Sequence, residues 1–241
     1  MIKFFRKIRQ TLLAQNKLSK YLIYAVGEII LVVIEILIAL SINNWNENLK
    51  LNQKEIALLN ELSYNLEKTK QAIDTSLFHN NEILRDNNFL LSFMQTNQEY
   101  HPKLDTIFGQ LPYWNTPYLT QNAYQNIKSI GVEIISNPIL RNQIVDLYEE
   151  DLPKLLNDWD RWEWDINQTL VMPFFAKHIR GDMTNRDFAK PNNFEDLKSN
   201  EEFYNILSVI YRTRIYGITL MEETLIEIQN LQNSIVNYLN K

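Results

Sequence analysis

Residues 21–42 read YLIYAVGEIILVVIEILIALSI, and this stretch decides the fold of the chain. At about 1.5 Å per residue, a helix of this length is roughly 33 Å long, enough to cross a hydrocarbon core of about 30 Å. Glu28 and Glu35 interrupt the apolar run. Each charge near the centre of a span costs about 2.5–3.5 kcal/mol, whereas each Leu, Ile or Val contributes about 0.3–0.6 kcal/mol in favour of insertion. Fourteen such apolar residues therefore balance two charged glutamates, and the sequence predicts a transmembrane helix.

The residues that flank this span predict its orientation. Basic residues without any acidic one precede it: Lys3, Arg6, Lys7, Arg9, Lys17 and Lys20. Basic flanks remain in the cytoplasm, so we expect a single-pass inner-membrane protein with a cytoplasmic N-terminus and a periplasmic C-terminal domain. Tyr21 and Trp45 lie where interfacial aromatic anchors are expected. A cleaved signal peptide would have a shorter apolar core, of about 7–15 residues, so we interpret the segment as a signal anchor.

Three regions follow from this reading. Residues 1–20 form a basic cytoplasmic segment, either an amphipathic helix on the inner leaflet or a topology signal alone. Residues 21–42 form the transmembrane helix, and residues 43–241 form a periplasmic helical domain.

The two glutamates of the span predict an assembly face. Their spacing of seven residues places them within roughly 20° of one helix face and about 10 Å apart along the axis. Gly27 beside Glu28 permits close approach of another helix. Ionisable residues in a span usually face protein or water, and a lone helix has no interior. We therefore expect the helix to lie in the lipid bilayer and to pack against a partner, either another copy in a homo-oligomer or another membrane protein. Alternatively, the two glutamates form part of an ion or proton path.

Two stretches resemble a known family. Gly27-Glu28 followed by an Ile/Leu/Val run and then Asn43-Asn44-Trp45-Asn46-Glu47 is similar to a family of small single-span proteins of Bacteroidota, a domain of unknown function. The stretches 123–131 and 136–141 also resemble it, with a helix ending at Gly and a second helix after a connector. The family pattern has Gly where this chain has Glu35. The resemblance implies location and architecture, with a shared role for Glu28, and supplies no activity.

The remainder of the chain predicts an all-α fold. Five Gly and seven Pro residues are few for a barrel or a sandwich. Apolar residues at helical spacing between 51 and 91 indicate one long helix, continuous with the span or broken near Asn43-Asn44. A similar stripe of apolar residues at 215–239 indicates a second long helix. A short helix expected at 199–212 would merge with it. We expect these two to pair antiparallel in a four-helix-bundle-like extracytoplasmic domain.

Prolines and glycines predict the central elements. His101-Pro102 begins a loop, and Thr116-Pro117 caps a helix over 118–130 that ends at Gly131. Asn137-Pro138 opens the next helix, which bends at Pro153 and ends or bends at Pro173. Residues 180–195 are expected to form an exposed loop.

The chemistry-bearing residues exclude several classes of site. The chain has no cysteine, which rules out disulfides, thiolate metal sites and cysteine nucleophiles. His79, His101 and His178 lack the spacing of a metal motif, and a net charge of -5 argues against nucleic acid. The acidic run at Asp146, Glu149, Glu150 and Asp151 indicates a solvated helix face or, alternatively, a cation site. We expect no cofactor and no enzymatic activity.

Trp159 and Trp162 are the candidate pocket residues. They lie three residues apart among carboxylates, a composition that suits either a pocket for a sugar or cationic ligand or simple packing in the domain core. The sequence therefore favours a membrane-anchored accessory or interaction protein. The alternatives are an extracytoplasmic ligand-sensing domain and a component of an ion- or proton-coupled complex.

Overall fold

The computed structural model describes the backbone of residues 18–240 and the side chains of residues 22, 23 and 25–240. It is 81% helical and divides into two compact units, Met1–Lys54 and Glu55–Lys241. The amphipathic segment predicted over residues 1–20 lies almost wholly outside the described residues.

The first unit contains the start of α1 (Leu18–Met94), a single helix of 77 residues. The break considered at Asn43-Asn44 is absent from it, because no Pro or Gly stands between Gly27 and Pro102. An 18-residue stretch of this helix has a mean hydropathy of 2.6, and none of it is buried. The chain therefore has one N-terminal helix that is long and apolar enough to cross a membrane.

The second unit is organised by the rest of α1 and by α8 (Glu201–Leu239). The Tyr238 hydroxyl lies 2.9 Å from the Glu55 carboxylate, and Gln232 donates to Glu67 across 3.3 Å. Along the pair of helices, residue numbers rise in α1 while they fall in α8. The expected antiparallel pairing of the two helices is therefore confirmed. The expected merging of the short helix at 199–212 with the last one is confirmed as well.

Short helices complete the second unit: α2 (Leu104–Gln110), α3 (Asn122–Ile130) and α4 (Pro138–Asp146). Asn137 caps α4 as predicted, since its side chain accepts from the amides of Ile139 and Leu140. Gly131 ends α3 at a φ of 112°, a backbone conformation that residues with a side chain rarely adopt. The predicted start of that helix was wrong: it begins at Asn122, and the Thr116 hydroxyl bonds to Asp160 instead of capping a helix. The helix α2 was also missed within the predicted loop.

The helical path of α4 continues through three π turns to His178, and residues 147–178 are called the π-turn helix. These turns are Leu147–Asp151, Lys154–Asp160 and Asn167–Val171; between and after them lie α5 (Arg161–Ile166) and α6 (Met172–His178). A π turn precedes both Pro153 and Pro173. The wider turn accommodates the proline ring against the carbonyl four residues earlier, which explains why Pro173 does not end the helix.

The loop expected at residues 180–195 is partly structured. Strands β1 (Ile179–Gly181) and β2 (Ala189–Pro191) pair antiparallel, with Ile179 opposite Pro191, and α7 (Phe194–Lys198) follows. Ile179, Ala189 and Phe194 are buried, and this burial orders the segment against the core. The other residues of 180–195 are mostly exposed, as predicted, including those of the turn between the strands.

Two apolar clusters form the core of the second unit. The first lies between α1, α8 and the π-turn helix, and includes Leu59, Leu62, Leu66, Tyr124, Tyr148, Leu155, Trp159, Ile228, Leu231 and Ile235. The second is rich in phenylalanine, and includes Leu90, Phe108, Ile166, Phe174, Phe194, Phe203 and Leu207.

Candidate functional site

An open cavity of about 470 Å³ lies between the segment that follows α2 and the π-turn helix. Aromatic and polar side chains line it together: Pro112, Tyr113, Trp114, Thr116, Asp160, Trp164, Asn167, Gln168 and Met172. Its volume falls in the range of about 300–1,000 Å³ that is typical of small-molecule sites.

The first wall of the cavity is a segment without regular secondary structure, residues 113–121. Buried polar residues of α1 hold it in place: Asn80 donates to the carbonyl of Asn115 across 2.7 Å and accepts from its amide across 3.0 Å. Ser76 donates to the Asn115 side chain across 2.7 Å, and the Thr69 hydroxyl accepts from the amide of Thr120. A backbone segment held by this many bonds presents its side chains in a defined geometry.

The second wall is the π-turn helix. Asp160 ends one π turn, Asn167 begins the next, and Trp164 stands between them on α5. π turns are rare and often occur at functional sites, because the extra residue redirects the side chains around it.

A buried ion pair supports both walls from beneath. Arg214 of α8 donates from Nε to Glu163 across 3.0 Å, with side-chain exposures of 1% and 3%. A second guanidinium nitrogen of Arg214 donates to the Tyr113 carbonyl across 2.9 Å, and the Trp159 indole donates to Glu163 across 3.3 Å. The pair therefore links α8, the π-turn helix and the Tyr113 backbone.

Hydrogen bonds engage several of the donors that line the cavity, and three of them join the two walls. The Trp114 indole donates to Asp160 Oδ1 across 2.8 Å, and the Thr116 hydroxyl donates to the same oxygen. Asn167 donates to the Pro112 carbonyl across 2.5 Å and accepts from Gln168 across 3.3 Å. Asp160 Oδ2 accepts no hydrogen bond from any residue that the structure describes.

The predicted pocket pair needs correction. Trp159 is fully buried, against Gly217 of α8, where the missing Cβ makes room for the indole ring. Trp162 is exposed beside Tyr216, with ring centroids 5.9 Å apart. The cavity is lined instead by Trp114 and Trp164. Trp114 lies in a loop between two prolines, a context in which binding residues are common, and this signal could have identified it.

The predicted assembly face lies on the exposed part of α1. Glu35 and Trp45 are exposed, while Gly27 and Glu28 are half-buried. A Cβ added at Gly27 would meet no atom of the described residues within 4 Å. The side chain of Tyr21, the other predicted interface anchor, lies outside the described residues.

Two carboxylates of the acidic run at residues 146–151, those of Glu149 and Asp151, pair with lysines. Glu149 accepts from Lys128 and from the Tyr124 hydroxyl, each across 2.7 Å, and these bonds lower the pKa of its carboxyl. Asp151 accepts from Lys154 across 2.9 Å. Within residues 18–240, no group of three His, Asp or Glu side chains is placed to hold a metal ion.

Comparison with known proteins gives a match to a protein family. Residues 28–213 match a family described as a family of unknown function, DUF6090. No curated protein and no solved structure shows a significant match to the chain.

Proposed function

This chain belongs to DUF6090, a family whose function is unknown, and we propose that it is a membrane-anchored accessory protein that assembles through its apolar helix. The proposal includes the orientation expected from the basic N-terminal flank, with the helical domain on the periplasmic side of an inner membrane.

The exposure of the apolar helix carries this proposal. Its large apolar side chains between residues 29 and 40 are each about half exposed, from 45% for Ile34 to 63% for Ile29. Soluble proteins rarely leave so large a continuous apolar surface in water. A lipid bilayer would remove this surface from water, because the apolar stretch is about as long as the hydrocarbon core is thick.

The polar stripe on that helix supports assembly with a second copy. Glu28 and Glu35 share a face, and Ala39 lies about 20° from Glu28 at 100° per residue. A protonated carboxyl both donates and accepts, so the same face on two copies is self-complementary. Within the described residues Glu35 has no side-chain partner, and its carboxyl would gain one across such an interface.

Disulfide crosslinking in native membranes tests the assembly face. Because the chain has no cysteine, single substitutions report one position at a time. Ala39→Cys lies on the glutamate face and Leu37→Cys lies about 180° from Glu28, which makes it the matched control. We expect oxidation to yield a dimer of Ala39→Cys much faster than one of Leu37→Cys, and Glu35→Ala to slow the former. Equal rates, or no dimer from either variant, would refute self-assembly through this face.

Fusion of alkaline phosphatase to the C-terminus tests the orientation. The enzyme is active only outside the cytoplasm, so we expect activity in membranes that resist carbonate washing. An inactive fusion, or a chain that washes off the membrane intact, would overturn the proposed topology.

A further inference from the structure

The cavity between the two walls carries an inference that is independent of how the apolar helix assembles. We propose that it binds a bulky organic cation of the methylated-ammonium class, held between Trp114 and Trp164 and beside the Asp160 carboxylate.

The charge of the cavity selects for a cation. Asp160 is the one charged residue among those that line it, and no Lys or Arg stands beside it there. The structure records no ion pair to Asp160 from any described base. One oxygen of this carboxylate is occupied by the Trp114 and Thr116 donors, which orient the group, and Oδ2 keeps its lone pairs for a ligand.

The two indole rings supply the second element of a cation site. Their centroids are 5.5 Å apart and their planes meet at 88°, so they form two adjoining walls at a right angle. Trp164 is 54% exposed, and its ring is accessible from solvent. Quaternary ammonium ligands are recognised by aromatic faces arranged around the charge, because each ring presents a negative face.

The donors beside the Asp160 carboxylate are already engaged within the protein, which favours a cation over a sugar at this position. A sugar hydroxyl both donates and accepts, so sites for sugars offer free groups of both kinds. Here the indole of Trp114, the hydroxyl of Thr116 and an amide hydrogen of Asn167 already donate to protein acceptors. The Trp164 indole, the Tyr113 hydroxyl and the Gln168 amide keep donor hydrogens, but a methylated ammonium needs only the ring faces and the Asp160 carboxylate.

Titration calorimetry on the full chain tests the site. The protein is placed in nanodiscs of phosphatidylglycerol, whose headgroup carries no ammonium, and titrated with choline. The matched control ligand is 3,3-dimethylbutanol, which has the same shape without the charge. We expect choline to bind at least about tenfold more tightly than the neutral isostere, because attraction to the rings and carboxylate requires the charge.

Substitutions assign the binding to this cavity. Trp164→Ala removes an exposed ring and should weaken choline binding by about five- to thirtyfold. Asp160→Asn keeps an oxygen for the Trp114 and Thr116 donors, removes the charge, and should weaken binding about fivefold or more. Trp162→Ala, on the exposed ring beside Tyr216, is the control and should leave binding unchanged.

Each outcome decides the proposal. Equal affinity for choline and its isostere, tighter binding of glucose than of choline, or insensitivity to both cavity variants would overturn it. Nanodiscs of phosphatidylcholine then distinguish the sources of the ligand. Competition by this lipid would support a headgroup as the ligand, and unchanged choline affinity would support a soluble cation.

Discussion

Removal of Arg214 should destabilise the helical domain strongly. Its guanidinium is 1% exposed, donates to Glu163 and to the Tyr113 carbonyl, and is surrounded by core residues. Arg214→Met keeps an unbranched apolar stem and removes the charge and the donors. The Glu163 carboxylate then stays buried with the Trp159 indole as its remaining donor among described residues.

The magnitude follows from the burial of both partners. Leaving one partner of a buried ion pair unpaired costs about 3–5 kcal/mol, because the remaining charge is not solvated. In a domain of about 150–250 residues, 1 kcal/mol shifts the melting temperature by about 2–4 °C. We therefore expect a fall of about 6–20 °C. The double variant Arg214→Met with Glu163→Leu removes the stranded charge and should recover most of the loss.

Thermal unfolding of the full chain, followed by circular dichroism at fixed lipid composition, measures this effect. Arg85→Met is the matched control, since Arg85 pairs with Glu82 at side-chain exposures of 71% and 47%. An exposed pair contributes at most about 1 kcal/mol, so the control should melt within a few degrees of the parent. Similar shifts for both single variants, or a double variant no more stable than Arg214→Met, would refute the reasoning.

Three further predictions concern the rest of the domain. The buried Tyr148 hydroxyl has no hydrogen-bond partner among described residues, so Tyr148→Phe should leave the melting temperature unchanged or raise it. Tyr124→Phe should lower the free energy of unfolding by about 0.5–1.5 kcal/mol, since that hydroxyl donates to Glu149; equal falls in the melting temperature of both variants would contradict this. Lys128→Ala should raise the lowered pKa of Glu149 towards 4.5 in an NMR titration, and an unmoved pKa would contradict the pairing. In the parent, this pairing stabilises the fold above pH 4.5 and is lost as the pH falls through the lowered pKa. Gly109→Ala should destabilise by about 1–3 kcal/mol in urea unfolding, because its Cβ overlaps a backbone carbonyl of the β1–β2 turn; an unchanged midpoint would show that the turn yields.

The site was only partly predictable from the sequence. The tryptophan-rich stretch at 159–164 was identified, but the assignment of its members to pocket and core was not. Trp159 is a core residue because Gly217 of α8 leaves space for its ring, and Trp164 is a cavity residue because Trp114 stands opposite it. Neither neighbour lies close in sequence, so periodicity along one helix could not choose between the two.

Several local signals failed where tertiary contacts competed with them. Thr116-Pro117 has the composition of a helix start, but the Thr116 hydroxyl bonds to Asp160, and the following residues stay extended. The segment at 180–195 is polar on average, yet the burial of Ile179, Ala189 and Phe194 orders it. In both cases a long-range contact contributes more than the local preference.

The sequence by itself determined what depends on short stretches of chain. Hydropathy over about twenty residues identified a helix able to cross a membrane, and helical spacing of apolar residues identified the two long helices. The tertiary structure alone decided the cavity, because its parts are distant in the chain. Trp114 and Asp160 are separated by 46 residues, and Tyr113 and Arg214 by 101. Hydrogen bonds between such residues form only once the helices have packed, so no local pattern encodes them.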